Sequence, residues 1–304
     1  MNRSMKNLRI LLLALPLLTT GCSNDEETAD GRDAQALKIA VDIQATTRNI
    51  TPYMGTSFAS GAKLGVRVVD GAGTTSDYDF QNACYTAGIV EGQQAWATDQ
   101  EIIITEKYAK TMAYYPWTQG VDAAAIAVDC STETDWMYCT WRPQFNYTQP
   151  TVSFQMTHAQ SVIKVVYQNA PSPDTYTGDL TLKKLTVSGD CLARTGTLDG
   201  TTGTLSNQSG NSYVITYSNN EKLGTFTTQQ DYVLTTGTSG TITFTIEIGT
   251  SKYTATTAAL TLTQGKIYQY TLTITDTKLI IDPVTIIPWS SAEAVTIEGE
   301  EVES

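Results

Sequence analysis

Apolar and polar residues alternate along most of this chain, and the clearest run comes early. From Leu37 to Ala45 the odd positions Leu37, Ile39, Val41, Ile43 and Ala45 are apolar, with Lys38, Asp42 and Gln44 set between them. Period-two alternation over this length predicts a strand with one buried face and one wet face. The same pattern predicts strands over 64–69, 95–98, 101–105, 111–117, 151–154, 161–167 and 180–188. It continues over 213–217, 232–235, 241–248, 252–263 and 266–275, the last placing Tyr268, Tyr270, Leu272 and Ile274 on one face. Turn residues such as Asp70-Gly71-Ala72-Gly73 separate the runs. A short helix is expected over 123–128, and loops rich in glycine and serine over 195–212. Short strands punctuated every 8–12 residues or so indicate an all-β sandwich rather than alternating strands and helices. With 304 residues the chain fits two domains, and the polar, proline-bounded stretch 144–150 suggests a boundary near Pro150. Two tandem β-sandwiches, 49–150 and 151–304, are the expected architecture.

The start of the chain reads differently. Arg3, Lys6 and Arg9 precede an apolar run from Ile10 to Leu18, followed by Thr19-Thr20-Gly21-Cys22. That run is too short for a bilayer, which needs about 20 apolar residues, so residues 1–21 read as a signal peptide. A small residue before a cysteine at the end of such a run resembles the lipobox of bacterial lipoproteins. Cys22 is then the acylated residue and 23–36, with Asp25, Glu26, Glu27, Asp30 and Asp33, a solvated tether. Residues 22–48 thus combine the tether with the first strand.

Charge narrows the partners. Removing the three basic residues of 1–21 from the chain's 19 leaves 16 against 31 acidic ones, a net of −15. Such a surface repels nucleic acid and anionic lipid. Four further cysteines, Cys84, Cys130, Cys139 and Cys191, allow three pairings in an oxidising compartment, and Cys130–Cys139 closes the shortest loop. No Cys-x-x-Cys element occurs and His158 is the single histidine, which argues against zinc. Asp70, Asp77 and Asp79 lack the spacing of a calcium loop. Ser161 is the hydroxyl nearest His158 in sequence, but residues three apart on a strand point to opposite faces. No catalytic constellation, metal site or cofactor is expected. The aromatic group Trp136, Tyr138, Trp141, Phe145 and Tyr147 suits a core or interface, with sugar stacking as its functional alternative.

Several local patterns, in order, resemble one family. They are Ala113-Tyr114-Tyr115-Pro116-Trp117, Thr134-Asp135-Trp136-Met137-Tyr138 and Val152-Ser153-Phe154-Gln155-Met156-Thr157-His158-Ala159. Near the end come Gly265-Lys266-Ile267-Tyr268-Gln269-Tyr270-Thr271-Leu272-Thr273-Ile274 and Ile286-Ile287-Pro288-Trp289. Together they are similar to landmarks of the fimbrillin family, the Mfa-like type V pilins of Gram-negative anaerobes. Thr47-Arg48 matches that family's processing position.

The resemblance implies two transthyretin-like β-sandwiches, a lipoprotein precursor at the outer membrane, and an arginine-specific protease that cuts between Arg48 and Asn49. Loss of Leu37, Ile39, Val41, Ile43 and Ala45 would open a groove, filled by the C-terminal segment of another pilin subunit in a surface fimbria. Val284 and Ile286, or Trp289, Val295 and Ile297, are the donor positions that follow the last sandwich strand. An accessory or tip adhesin that binds glycan or protein is the alternative implied function, and a surface hydrolase a distant third.

Overall fold

A computed structural model describes residues 34–43, 58–218, 222–223 and 229–289. Where period two runs, the chain is extended. A seven-stranded sheet runs in the order Lys38–Ile43, Thr151–His158, Met137–Cys139, Ala109–Tyr115, Lys63–Asp70, Asp79–Val90 and Gln93–Thr98. Its neighbours are antiparallel except the first pair, in which Lys38–Ile43 runs parallel to Thr151–His158.

Two further sheets enclose a second core. One has the order Gln229–Thr235, Ser161–Asn169, Lys266–Ile274, then Leu279–Ile281 and Thr285–Pro288 along the same edge. The other has the order Ser212–Thr216, Leu182–Ser188, Thr243–Ile248 and Ser251–Thr256. Alternation sends Phe244, Ile246 and Ile248 inward, and the Phe244 ring meets Tyr270 of the first sheet at 5.1 Å. This sandwich geometry follows from one buried face on each sheet.

The cores meet on one strand. Along Ala109–Tyr115, Ala109 and Ala113 join the first core with Leu64, Val66, Phe154 and Met156. Met112 and Tyr114, on the opposite face, join the second. Gly65 is needed beside them, because a Cβ there would collide with the Tyr114 ring. The described residues accordingly form one compact unit.

Three expectations change. Residues 123–128 form no helix: Ile126–Asp129 is a strand that pairs with Thr195–Asp199. Ile126 and Val128 are buried in the second core, and a run this short gains little from helical hydrogen bonds alone. The glycine- and serine-rich stretch 195–212 contains the hairpin Thr195–Asp199 and Thr204–Ser209, turned at Gly203 with φ of 78°. Its polar composition hides a strand supported by backbone pairing. The boundary also moves beyond Pro150, since Thr151–His158 belongs to the seven-stranded sheet and Ala159 is the next residue to join the second core.

The Cys130–Cys139 disulfide is not formed, and Cys84, Cys130, Cys139 and Cys191 are all free thiols. Cys130 is turned into the second core, where its Sγ accepts from Gln160 Nε2 at 3.3 Å, whereas Cys139 lies in the first. Burial pushes both thiols above their ordinary pKa, which suppresses the thiolate that disulfide exchange requires.

Phe154 has no exposed surface and sits where Lys38–Ile43 meets the first core. Phe154→Ala is expected to destabilise the protein by about 3–5 kcal/mol, whereas Ile89→Ser, at a position 60% exposed, should change stability by less than about 0.5 kcal/mol. Urea unfolding of the two variants checks both.

Candidate functional site

The seat of the leading strand can be built residue by residue. Gln35–Ala36 pairs antiparallel with Ile103–Ile104, and Leu37 N–H donates to Ile102 O at 2.8 Å. At Lys38 the chain changes neighbour: its N–H donates to Pro150 O at 2.9 Å, and the strand runs beside Thr151–His158 as far as Ile43 opposite Met156. Leu37 and Val41 are buried, Ile39 and Ile43 half-buried, while Lys38, Ala40 and Asp42 are exposed. Among the described residues, Lys38–Ile43 has a single lateral partner and forms an edge of the sheet. What holds it is one row of hydrogen bonds and one row of apolar side chains.

Where Thr151–His158 ends, a polar junction begins. His158 is buried, its Nδ1 2.8 Å from Asp135 Oδ1, and its ring stacks on Trp289 at 4.2 Å with 4° between the planes. Trp289 N–H donates to Gly265 O at 2.9 Å and Gly265 N–H to Gln160 O at 2.8 Å. Gln160 Oε1 in turn accepts from Trp136 N–H at 2.9 Å. A cleft of about 300 Å³ opens between Met156, Thr157 and His158 on one side and Gln264, Gly265, Lys266 and Pro288 on the other. Ser161 donates its hydroxyl to Thr263 O at 2.8 Å. Asp135 and Trp289 orient the ring, so the arrangement is that of a structural clasp.

The other sequence candidates divide. Cys22, Ala45, Arg48, Asn49, Val295 and Ile297 lie outside the described residues. Val284 is half-buried against the second core, Ile286 is 54% exposed and Trp289 is buried on His158. Thr285–Pro288 pairs antiparallel with residues 266–269 of its own sheet. The apolar side chains of this segment fit their own sandwich edge.

Asp70 accepts from the Thr74 hydroxyl, from Thr74 N–H at 2.8 Å, and from Ser76 N–H and hydroxyl at 3.3 and 3.2 Å. These bonds, led by the Thr74 hydroxyl, hold its pKa down at about 2. The turn therefore closes on its own carboxylate, and among the described residues no group of three or more His, Cys, Asp or Glu is gathered as for a metal ion.

Of the aromatic group, Phe145 is buried in the first core, and Trp136, Tyr138 and Trp141 pack against the second. Tyr138 also donates to Gln264 Oε1 at 3.1 Å, and Tyr147 is half-buried. Sequence reasoning missed the roles of Asp135 and Trp289, though both stand in quoted motifs. It also missed Arg67 and Lys110, which lie 5.7 and 5.0 Å from the Trp141 ring centre.

A fimbrillin-like family model matches residues 47–289. Among solved structures, a candidate cell adhesion protein from Bacteroides uniformis aligns with a TM-score of 0.62 and 17% identity, over 86% of this chain and 100% of its own. Another, from Bacteroides ovatus, aligns with a TM-score of 0.60 and 17% identity over the same shares. At such identity the likeness shows a common fold. No curated protein matches the chain.

Trp289→Ala removes a buried ring and should cost about 3–5 kcal/mol, with Trp289→Phe recovering most of it, as read by denaturant unfolding. For Asp70 the sign is that of a depressed carboxylate. Its stabilising contribution is complete well above its ordinary value of 3.8 and is lost as pH falls through about 2. The stability gap between wild type and Asp70→Asn should therefore be constant at neutral pH and shrink across that acid window, as measured by unfolding at stepped pH.

Proposed function

The chain belongs to the fimbrillin-like family, and from that premise we propose that it is a structural subunit of a cell-surface fimbria. In this reading it is exported as a lipoprotein acylated at Cys22 and cut after Arg48 by an arginine-specific protease. It then polymerises when the strand of another subunit replaces residues 37–45. Family membership itself supports a fimbrial role over an enzymatic one.

The observation that carries the proposal is the leading strand, an edge strand with alternating apolar side chains and, among the described residues, one lateral partner. Its departure would uncover the sites of Leu37 and Val41, worth about 1.5–3 kcal/mol each. It would also leave the outer backbone groups of Thr151–His158 unpaired. An incoming strand with apolar residues at every second position would recover both terms, as in β-augmentation. Repeated head to tail, the contact does not close and builds a filament. Because Val284 and Ile286 are engaged at home, the donor we propose begins after Trp289 and uses Val295 and Ile297.

Arg48→Ala should accumulate as full-length monomer with unchanged circular dichroism and no high-mass ladder. Deleting residues 290–304 should leave cleavage intact but stop growth. Normal ladders from the Arg48→Ala protein would refute strand exchange at this site and favour an accessory adhesin.

A further inference from the structure

We propose that the cleft beside His158 is the end of the groove for the incoming strand. There it takes Gly299 of a second copy of this chain and sets that strand's direction and register. This role rests on strand exchange as proposed above. Lys38–Ile43 pairs with residues 151–156 one for one and in parallel, so Val41 lies opposite Phe154 and Ile43 opposite Met156. Val152, Phe154, Met156 and His158 are the alternate, buried residues of their strand. A strand continued in the same register reaches Thr157 and then His158 with its next two residues. Met156, Thr157 and His158 are also one wall of the cleft of about 300 Å³. The groove opens into the cleft, and a strand that fills the one runs on into the other.

Two segments of the chain match this path. Ala40-Val41-Asp42-Ile43-Gln44-Ala45 recurs near the other end as Ala294-Val295-Thr296-Ile297-Glu298-Gly299. The pattern Ala-Val-x-Ile occurs at these two places and nowhere else in the sequence. In the same register, Val295 replaces Val41 against Phe154, Ile297 replaces Ile43 against Met156, and Gly299 comes opposite His158. A residue there meets the stacked rings of His158 and Trp289, and both segments carry a small residue at that point. Upstream the likeness ends, because Glu293 and Ser291 correspond to Ile39 and Leu37. Recognition is thus concentrated at the cleft.

Charge and direction agree with this occupant. Residues 290–304 hold five glutamates and no basic residue. Lys266 stands in the opposite wall of the cleft and makes no ion pair with the described residues, which leaves it to Glu300 and Glu301 beyond Gly299. Entering at the Thr151 end, the donor runs roughly 23 Å to His158 at about 3.3 Å per residue. The receiving subunit's own donor segment begins after Trp289, whose ring lies on His158. The incoming strand therefore ends where the outgoing one starts, which suits head-to-tail growth.

The test is disulfide mapping on the full chain with Thr157→Cys. Paired residues lie within disulfide reach, whereas residues two further along do not. In ladders of the processed chain, Glu298→Cys should therefore cross-link to Thr157→Cys of the next subunit about fivefold or more above Thr296→Cys or Glu300→Cys. Non-reducing gels read the yield, and Thr157→Cys alone gives the background. In the uncleaved Arg48→Ala monomer, Gln44→Cys should cross-link to Thr157→Cys within one chain. Gly299→Ala should assemble as the wild type does and Gly299→Trp should not. Lys266→Gln should slow growth about twofold to fivefold at low salt, and thermal melts establish that each variant is folded. Ladders that survive deletion of residues 290–304 refute strand exchange and this role with it. If that deletion stops growth but the cross-link peaks at 296 or 300, or Gly299→Trp assembles normally, exchange stands and the cleft as its end is overturned. A missing Gln44–Thr157 cross-link likewise overturns the continued register, and unchanged growth of Lys266→Gln overturns the charge pairing.

Discussion

Strand Ala109–Tyr115 is buried on both faces, and that constraint ties the fold together. A strand in a one-sided sheet needs only alternate apolar residues. This one carries Ala109 and Ala113 toward the first core and Met112 and Tyr114 toward the second. With apolar residues on both faces, this strand lets the seven-stranded sheet serve two cores. The same demand reaches its neighbour, where Gly65 makes room for the Tyr114 ring. Segment 123–130 follows the same route, sending Ala123, Ile126, Val128 and Cys130 into the second core although they precede Thr151–His158 in sequence.

Against that two-sided centre, the leading strand is held lightly. It is the one parallel member of an antiparallel sheet and stands at its edge. Parallel pairing is slightly weaker per residue than antiparallel pairing, and an edge strand has one row of hydrogen bonds. The last strand, Thr285–Pro288, also lies at an edge, but Trp289 fastens its end to His158. Two edge strands near the two ends of the chain thus differ in how they are secured. The difference lies in one buried aromatic stack.

Charge is distributed with the same economy. The chain is acidic overall, yet Arg67 and Lys110 converge on Trp141, and Lys63 lies 5.4 Å from the Trp117 ring centre. Aromatic faces accommodate these cations without a carboxylate. Acidic groups such as Asp70 turn instead to neighbouring hydroxyls and amides.

Local periodicity determined much of this protein from sequence alone. The alternation of residues 37–43 became an edge strand with Leu37 and Val41 inward, and the runs over 64–69, 161–167 and 266–275 became strands of the two cores. Period two is a local property, set by where successive side chains point, so it survives without knowledge of the fold. Only tertiary structure decided the rest. Polar residues 195–209 became a hairpin because Ile126–Asp129 pairs with it, and such pairing draws on backbone groups that every sequence carries. His158 acquired its meaning from Asp135 and Trp289, and Trp141 from Arg67 and Lys110. Those partners lie on different strands, and pattern along the chain cannot say which strands become neighbours. The Cys130–Cys139 pairing failed for the same reason: proximity in sequence left open which core each thiol would enter.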